Sequence, residues 1–217
     1  MAAEEASVLA IDTASPAPAI ALRARGTIFE ESLSTDRRAS EELLPALRRC
    51  LARANLSLTD VSRLALCAGP GSFTGLRVGL ATAWALARAT GIPVEAVSTL
   101  ESMAEAWRDA GEGPVWTALD AGRGDVVFQE FGLEGPRAEP RTSLTRANRD
   151  LAARAARGGH VLSLPRELLA ADGPALPLSP ARALALAAAR APRAAEAGPP
   201  QAIYSRASAA EEIRGPA

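Results

Sequence analysis

Gly69-Pro70-Gly71-Ser72-Phe73-Thr74-Gly75 lies between the apolar run Leu64-Ala65-Leu66-Cys67-Ala68 and a helical pattern from Thr74 to Thr90. A glycine-rich loop leading into a helix N-terminus presents bare N–H groups, and the helix dipole favours an anion there. Ser72 and Thr74 would add hydroxyl donors, although Thr74 is equally the natural N-cap of the helix. The same glycines equally serve a tight turn with positive φ and close packing. No Gly-Lys-Ser/Thr follows, so the loop is not a nucleotide P-loop, and no Gly-x-Gly-x-x-Gly dinucleotide fingerprint fits.

Two carboxylates, Asp12 and Asp120, stand at the ends of apolar strands. A strand-end aspartate either holds a metal-bound water or caps a local turn, and capping is the commoner role because Asp bonds nearby backbone so readily. Nucleophilic schemes find little support. The single histidine, His160, follows Gly158-Gly159 and reads as a loop or satisfied core residue, and a Ser-His-Asp triad would have to recruit it. Cys50 and Cys67 are far apart with no neighbouring base, which makes them small buried residues of a reducing compartment.

The elements that must position these groups alternate. Residues 8–11, 19–22 and 28–29 predict a three-strand meander, and the helix beginning near Ser40, with Glu41-Glu42 in its first turn and Pro45 just beyond, is expected to start late or bend. The strand at 64–68, the helix from Thr74 and a strand at Val94-Val97 complete a β-α-β unit. A helix from Leu100 to Ala110 precedes strands at 115–120 and 125–131, joined as a hairpin at Gly122-Arg123-Gly124-Asp125. A helix from Arg146 to Arg157, a strand at His160–Leu164 and a helix from Pro180 to Arg190 capped by Ser179 follow, with Pro192 to Pro200 as linker. Strands alternating with helices place the chain in the α/β class.

The 217 residues suffice for a substantial core, but alanine dominates the 48% hydrophobic content and aromatics are only 4%, so Leu, Val and Ile must carry that core. All 24 basic residues are arginine. A net charge of -1 and a pI near 6.0 argue against a chain that holds nucleic acid by itself, since phosphate neutralisation needs a clustered basic surface. The adjacent basic pairs, Arg37-Arg38 and Arg48-Arg49, suit solvated helix faces. No apolar run reaches the roughly 20 residues needed to cross a bilayer, and Glu4-Glu5 precede a run too short for a signal sequence, so a cytoplasmic protein is expected.

In the helix from Thr74, Gly75, Gly79, Ala83 and Ala87 recur every fourth residue, beside an apolar stripe of Leu76, Leu80 and Trp84. A face without side chains admits another helix closely, and Trp84 would anchor an interface. Core packing explains either stripe alone, but both together make the helix apolar almost all round, hence buried or covered by a partner. The expectation is that the Gly79 and Ala83 face is the association surface.

Val8-Leu9-Ala10-Ile11-Asp12-Thr13-Ala14, the Gly-Pro-Gly-Ser-Phe-Thr-Gly-Leu-Arg-Val-Gly stretch from Gly69, Val97-Ser98-Thr99-Leu100-Glu101, Leu119-Asp120-Ala121-Gly122-Arg123-Gly124-Asp125-Val126-Val127-Phe128 and Ile203-Tyr204-Ser205-Arg206 together resemble the bacterial TsaB (YeaZ) family. The motifs occur in the family's order over most of the chain, and residues from about 133 to 200 match loosely. The resemblance implies a duplicated two-lobe fold of the actin and sugar-kinase type, with lobe I at 1–100, lobe II at 101–200 and the segment 201–217 returning to lobe I. It implies a non-catalytic partner of TsaD, acting with the ATPase TsaE in making threonylcarbamoyladenosine in tRNA, a homodimer when alone, and contact with tRNA only through the partner.

The same resemblance makes Asp12, Gly69, Gly71, Ser72 and Asp120 a vestigial nucleotide or phosphate site. Asp12-Thr13-Ala14 lacks the glycine that phosphate-binding hairpins of this fold usually carry. The histidine pair through which TsaD holds its metal is matched here by Thr99 and Met103, so neither catalytic metal nor cofactor is expected. Ala39 and Gly122 depart from the family's frequent histidine and arginine. The rival reading is a kinase or ATPase of the same fold using Asp12 and Asp120 with magnesium; a peptidase is the weaker alternative.

Overall fold

The computed structural model describes residues 6–35, 39–111, 113–155, 160–165, 168, 175–194 and 198–203. Expectations for Arg37-Arg38, for the helix end at 156–157, for Gly158-Gly159, for part of the linker and for 204–217, including Tyr204-Ser205-Arg206, lie outside the described residues.

Strands β1 (Val8–Asp12), β2 (Ala19–Ala24), β3 (Thr27–Ser32), β4 (Arg63–Cys67) and β5 (Val94–Val97) form one sheet in the order β3-β2-β1-β4-β5. The meander β1-β2-β3 is antiparallel, turning at Arg25 and Gly26 with positive φ, and β4 and β5 join parallel to β1. At the centre, β1 is buried along its whole length, which is why it reads as a continuous apolar run. Its side chains alternate between two cores. Leu9 and Ile11 face helices α1 (Ala39–Ala54) and α2 (Phe73–Thr90), whereas Val8 and Ala10 face α5 (Pro180–Arg190).

Helix α1 runs through Pro45 without a late start, and Leu43, Ala46, Leu47, Cys50 and Leu51 bury its inner face. Helix α2 ends at Gly91 in the left-handed conformation, whose N–H caps the Ala87 carbonyl. Its N-cap is Ser72 rather than Thr74, because the Ser72 hydroxyl accepts the Gly75 N–H at 3.2 Å.

The second sheet holds β6 (Val115–Gly122), β7 (Asp125–Gly132), β8 (Glu139–Pro140), β9 (Thr145–Asn148) and β10 (His160–Leu164), in the order β10-β6-β7-β8 with β9 also on β7. Helix α3 (Thr99–Trp107) covers one face through Leu100 and Met103, and α4 (Arg149–Ala155) the other through Ala152. The helix expected from Arg146 therefore starts three residues late. Residues 145–148 pair with Asp125–Phe128 instead, since the open edge of β7 offers a ladder that outweighs local helix propensity.

Two mixed sheets, each a hairpin or meander extended by parallel strands, sandwich α5 and α3 between them, with α1 and α2 outside one sheet and α4 outside the other. This is the actin and sugar-kinase type of fold. Helix α5, in the stretch assigned to lobe II, packs on β1, β2 and β4 of the first sheet and against α3. Its alanines at 181, 183, 185, 187 and 188 are buried and let both neighbours approach. The chain returns to the first sheet at Ile203, whose N–H donates to the Ala68 carbonyl at 2.7 Å.

Candidate functional site

Asp12 is fully buried at the end of β1, and its carboxylate is occupied by its own turn. Oδ1 accepts the Ala14 N–H at 2.9 Å and the Ser15 N–H at 3.0 Å, while Oδ2 accepts the Ser15 hydroxyl. Burial pushes the Asp12 carboxyl above its ordinary range, against the pull of those three donors. Ser15 is the residue that sequence reasoning missed here. An aspartate followed three positions later by a serine was the available signal for a closed local turn.

The turn made by Thr13 and Ala14 lies directly on the glycine loop. Ser72 N–H donates to the Ala14 carbonyl at 2.8 Å, and the Thr13 hydroxyl donates to the Gly75 carbonyl at 2.7 Å. A Cβ at Gly71 would overlap the Ala14 carbonyl, one at Gly75 the Thr13 carbonyl, and one at Gly79 the Thr13 hydroxyl. These glycines thus allow two backbone segments of the same chain to touch, and the Ser72 and Gly75 N–H groups are already engaged. Gly69 has a different reason. Its φ is +105°, its carbonyl accepts the Thr99 N–H, and it faces Ile203 and Leu76.

Beside this contact a cleft of about 510 Å³ opens between the sheets, lined by Thr13, Ser15, Gly71, Ser72, Thr74 and Gly75 from one side and Leu119 and Asp120 from the other. Gly71, Ser72 and Asp120 therefore line one cleft, whereas Asp12 and Gly69 are not part of its lining. Asp120 accepts the Gly122 N–H at 2.7 Å and sits 3.6 Å from the Arg149 guanidinium, an exposed pair of small energetic weight.

Thr99 and Met103 are both buried on α3. His160 opens β10, is exposed, and tilts against Trp107 with ring centroids 5.3 Å apart, so it is neither loop nor core. Among the described residues no group of three His, Cys, Asp or Glu side chains converges to hold a metal ion. Both cysteines are free and buried; burial raises the Cys50 thiol to about 11 and pushes Cys67 well above its ordinary value.

The small-residue stripe of α2 turns inward. Leu76, Gly79 and Ala83 are buried, Gly79 against Thr13 and Leu66, and Leu80 and Ala87 pack on the same core. The expectation that Gly79 and Ala83 form an association surface is corrected accordingly, because the turn at Thr13 occupies the space their missing side chains leave. Gly75 is partly covered by that turn, and Trp84 is half-buried beneath Arg88. Outward, α1 shows Leu44 at 47% and α2 shows Phe73 at 46% exposure, the latter under the Arg77 guanidinium at 4.0 Å.

Asp12 affords a direct test of the kinase reading. Asp12→Asn keeps an acceptor for Ala14 and Ser15 and removes a buried charge, so the variant is expected to be at least as stable as the parent at pH 7. Because the folded carboxyl is raised, its ionisation weakens the fold above that raised value; the advantage of the Asn variant should shrink as pH falls through it. Asp12→Ala strands the Ala14 and Ser15 N–H groups and should lose about 2–4 kcal/mol. Denaturant titrations of the three proteins between pH 4 and 8 check this; equal loss in both variants, or ATP turnover by the parent that Asp12→Asn abolishes, would contradict it.

The family model for "TsaD: tRNA N6-adenosine threonylcarbamoyltransferase" matches residues 29–155. The chain is 41% identical over 125 residues to the tRNA threonylcarbamoyladenosine biosynthesis protein TsaB of Escherichia coli K12, covering 57% of this chain and 54% of that protein. For the Haemophilus influenzae TsaB, identity is 35% over 134 residues, covering 61% and 57%. The chain thus spans little more than half the length of these relatives. Among solved structures, YeaZ from Pseudomonas aeruginosa superposes with a TM-score of 0.61 at 31% identity, covering 67% of this chain and 68% of that one. A second structure, described as similar to the peptidase YeaZ of Pseudomonas aeruginosa, reaches 0.75 at 26% identity over 93% of this chain and 100% of that one.

Proposed function

Since the chain belongs to the TsaB (YeaZ) family, we propose that it serves tRNA threonylcarbamoyladenosine biosynthesis as a non-catalytic partner of TsaD, with the ATPase TsaE joining the pair. The observation that carries the non-catalytic part is the closed contact between the Asp12 turn and the glycine loop. The groups that would otherwise meet a phosphate are already hydrogen-bonded: the Asp12 carboxylate within its own turn, the Ser72 N–H to the Ala14 carbonyl of that turn, and the Gly75 N–H to the Ser72 hydroxyl. A kinase needs those groups free for nucleotide and magnesium.

The partner-binding role falls on lobe I, taken as residues 1–100 with the C-terminal segment. Leu44 and Phe73 lie on α1 and α2, the two helices that cover the same face of the first sheet, and their exposure supports a contact on the outward side of that layer rather than on the Gly79 stripe. The same surface would serve a homodimer when TsaD is absent. With a net charge of -1 the chain leaves tRNA to its partner. No helix among the described residues is long and apolar enough to cross a membrane, and the proposed role belongs in the cytoplasm, beside the tRNA that its partner would modify.

Depletion of the protein is expected to lower threonylcarbamoyladenosine in bulk tRNA, and re-expression of the Asp12→Asn variant should restore it. Nucleoside analysis of tRNA from depleted and complemented cells is the measurement. Unchanged modification on depletion, with TsaD and TsaE present, would refute the role, and failure of the Asn variant alone would return the chain to the nucleotide-using enzymes.

A further inference from the structure

Away from the cleft, charged side chains are buried where the layers meet. Arg137, between β7 and β8, is 2% exposed, and Glu95 on β5 and Glu101 and Glu105 on α3 are each 5% exposed or less. The guanidinium of Arg137 reaches all three: Nη1 to Glu95 at 2.8 Å, Nη2 to Glu101 at 3.1 Å, and Nε to Glu105 at 3.6 Å. Its Nη1 also donates to the Ala191 carbonyl at 3.1 Å, just past α5. An outer ring completes the cluster. Arg193 pairs with Glu101 at 2.8 Å, Arg190 with Glu105 at 3.4 Å, and Arg63 lies 3.9 Å from Glu95. Arg108 pairs with Glu105 at 2.8 Å and donates to the carbonyls of Leu133 and Gly135 at 3.0 and 2.9 Å, and the Ala138 N–H donates to Glu105.

The members come from separate layers: Glu95 and Arg63 from the first sheet, Glu101 and Glu105 from the intervening helix α3, Arg137 from the second sheet, Arg190 and Arg193 from the end of α5. Sliding or hinging of one sheet against the other would draw Arg137 away from Glu95, leaving that buried carboxylate only Arg63 at 3.9 Å and the Arg193 N–H at 3.2 Å, and breaking a buried ion pair is strongly unfavourable in a poorly polarisable interior. Domain closure requires an interface that tolerates such sliding. The alanine-faced contact of α5 with α3 would tolerate it by itself, and the cluster beside it would not.

We propose that Arg137, carried on the segment from Leu133 to Glu139, forms a buried ionic latch that holds the two sheets at one angle and keeps the cleft between Gly71 and Asp120 at a single width. The protein presents itself to a partner as a rigid body. This inference does not depend on which partner that is or on the reading of the cleft.

Nitroxide labels on Thr35→Cys and Arg123→Cys, exposed positions on opposite sides of the cleft, report its width, and the native thiols are buried. The latched protein should give one narrow distance distribution. Arg137→Met, similar in length but without charge, should broaden it at least twofold and speed exchange of the Ala138 amide at least tenfold, while amides of Leu9 and Leu66 in the first sheet are unaffected. A broad distribution in the latched protein, or a narrow one in folded Arg137→Met, overturns the proposal. If Arg137→Met does not fold, Glu95→Gln takes its place: it keeps the side chain's shape and removes the carboxylate that Arg137 reaches from the first sheet. Broadening in Glu95→Gln then supports the latch, and a distribution as narrow as the parent's overturns it.

Discussion

Gly79→Arg unfolds the protein rather than releasing a partner. Its Cβ would overlap the Thr13 hydroxyl and stand 3.2 Å from Leu66 Cδ1, and the residue is buried between α2 and the end of β1. Thr13 cannot retreat without giving up its hydrogen bond to the Gly75 carbonyl, and Leu66 is held in the central sheet at 1% exposure. Overpacking of this kind costs about 1–3 kcal/mol, and a guanidinium buried there without a carboxylate adds about 3–5 kcal/mol. The sum is comparable with the whole stability of a domain of ordinary size. Thermal denaturation followed by circular dichroism measures it. A folded Gly79→Arg protein with lost association would instead show that the stripe faces a partner.

Charge on the outward side of the same helices has the opposite signature. Leu44→Glu together with Phe73→Glu should leave the fold within about 1 kcal/mol of the parent, since both side chains are nearly half exposed and substitutions at such positions are usually mild. Association with TsaD, and self-association when TsaD is absent, should weaken by about a hundredfold or more, equivalent to about 2.7 kcal/mol, because apolar anchors carry most of an interface's energy and a carboxylate in their place must be desolvated without a partner. Sedimentation of the variant alone and calorimetric titration with TsaD are the measurements. Unaltered binding by the folded double variant would move the interface elsewhere. The pair of variants separates two faces of α2 that sequence periodicity treats as one.

That ambiguity has a definite origin. The i, i+4 spacing of Gly75, Gly79 and Ala83 shows that one side of α2 admits something close, but a hairpin turn of the same chain and a helix of another satisfy the spacing equally well. Thr13 is sixty-two residues from Gly75, and nothing local to either residue announces that they touch. Asp12 poses the same difficulty in miniature. A strand-end aspartate is recognisable, yet whether its oxygens face solvent or its own turn depended on Ser15 and on burial. Arg137 was invisible, being one of 24 arginines in a stretch with no periodic pattern.

Local pattern determined the elements and their class. Continuous apolar runs marked β1 and β4 as strands, the positive-φ turns at Arg25-Gly26 and Gly122 to Gly124 closed the hairpins, and a serine cap opened α5. These features depend on neighbours within a few residues, so they are written in the chain. The tertiary structure alone decided three others: that residues 145–148 join the edge of β7 instead of starting a helix, that α5 lies on the first sheet, and that the glycine loop is filled by the turn after β1. Each is a contact between segments far apart in sequence. Its free energy comes from burial and hydrogen bonds that exist only once the layers have assembled, and no local propensity encodes it.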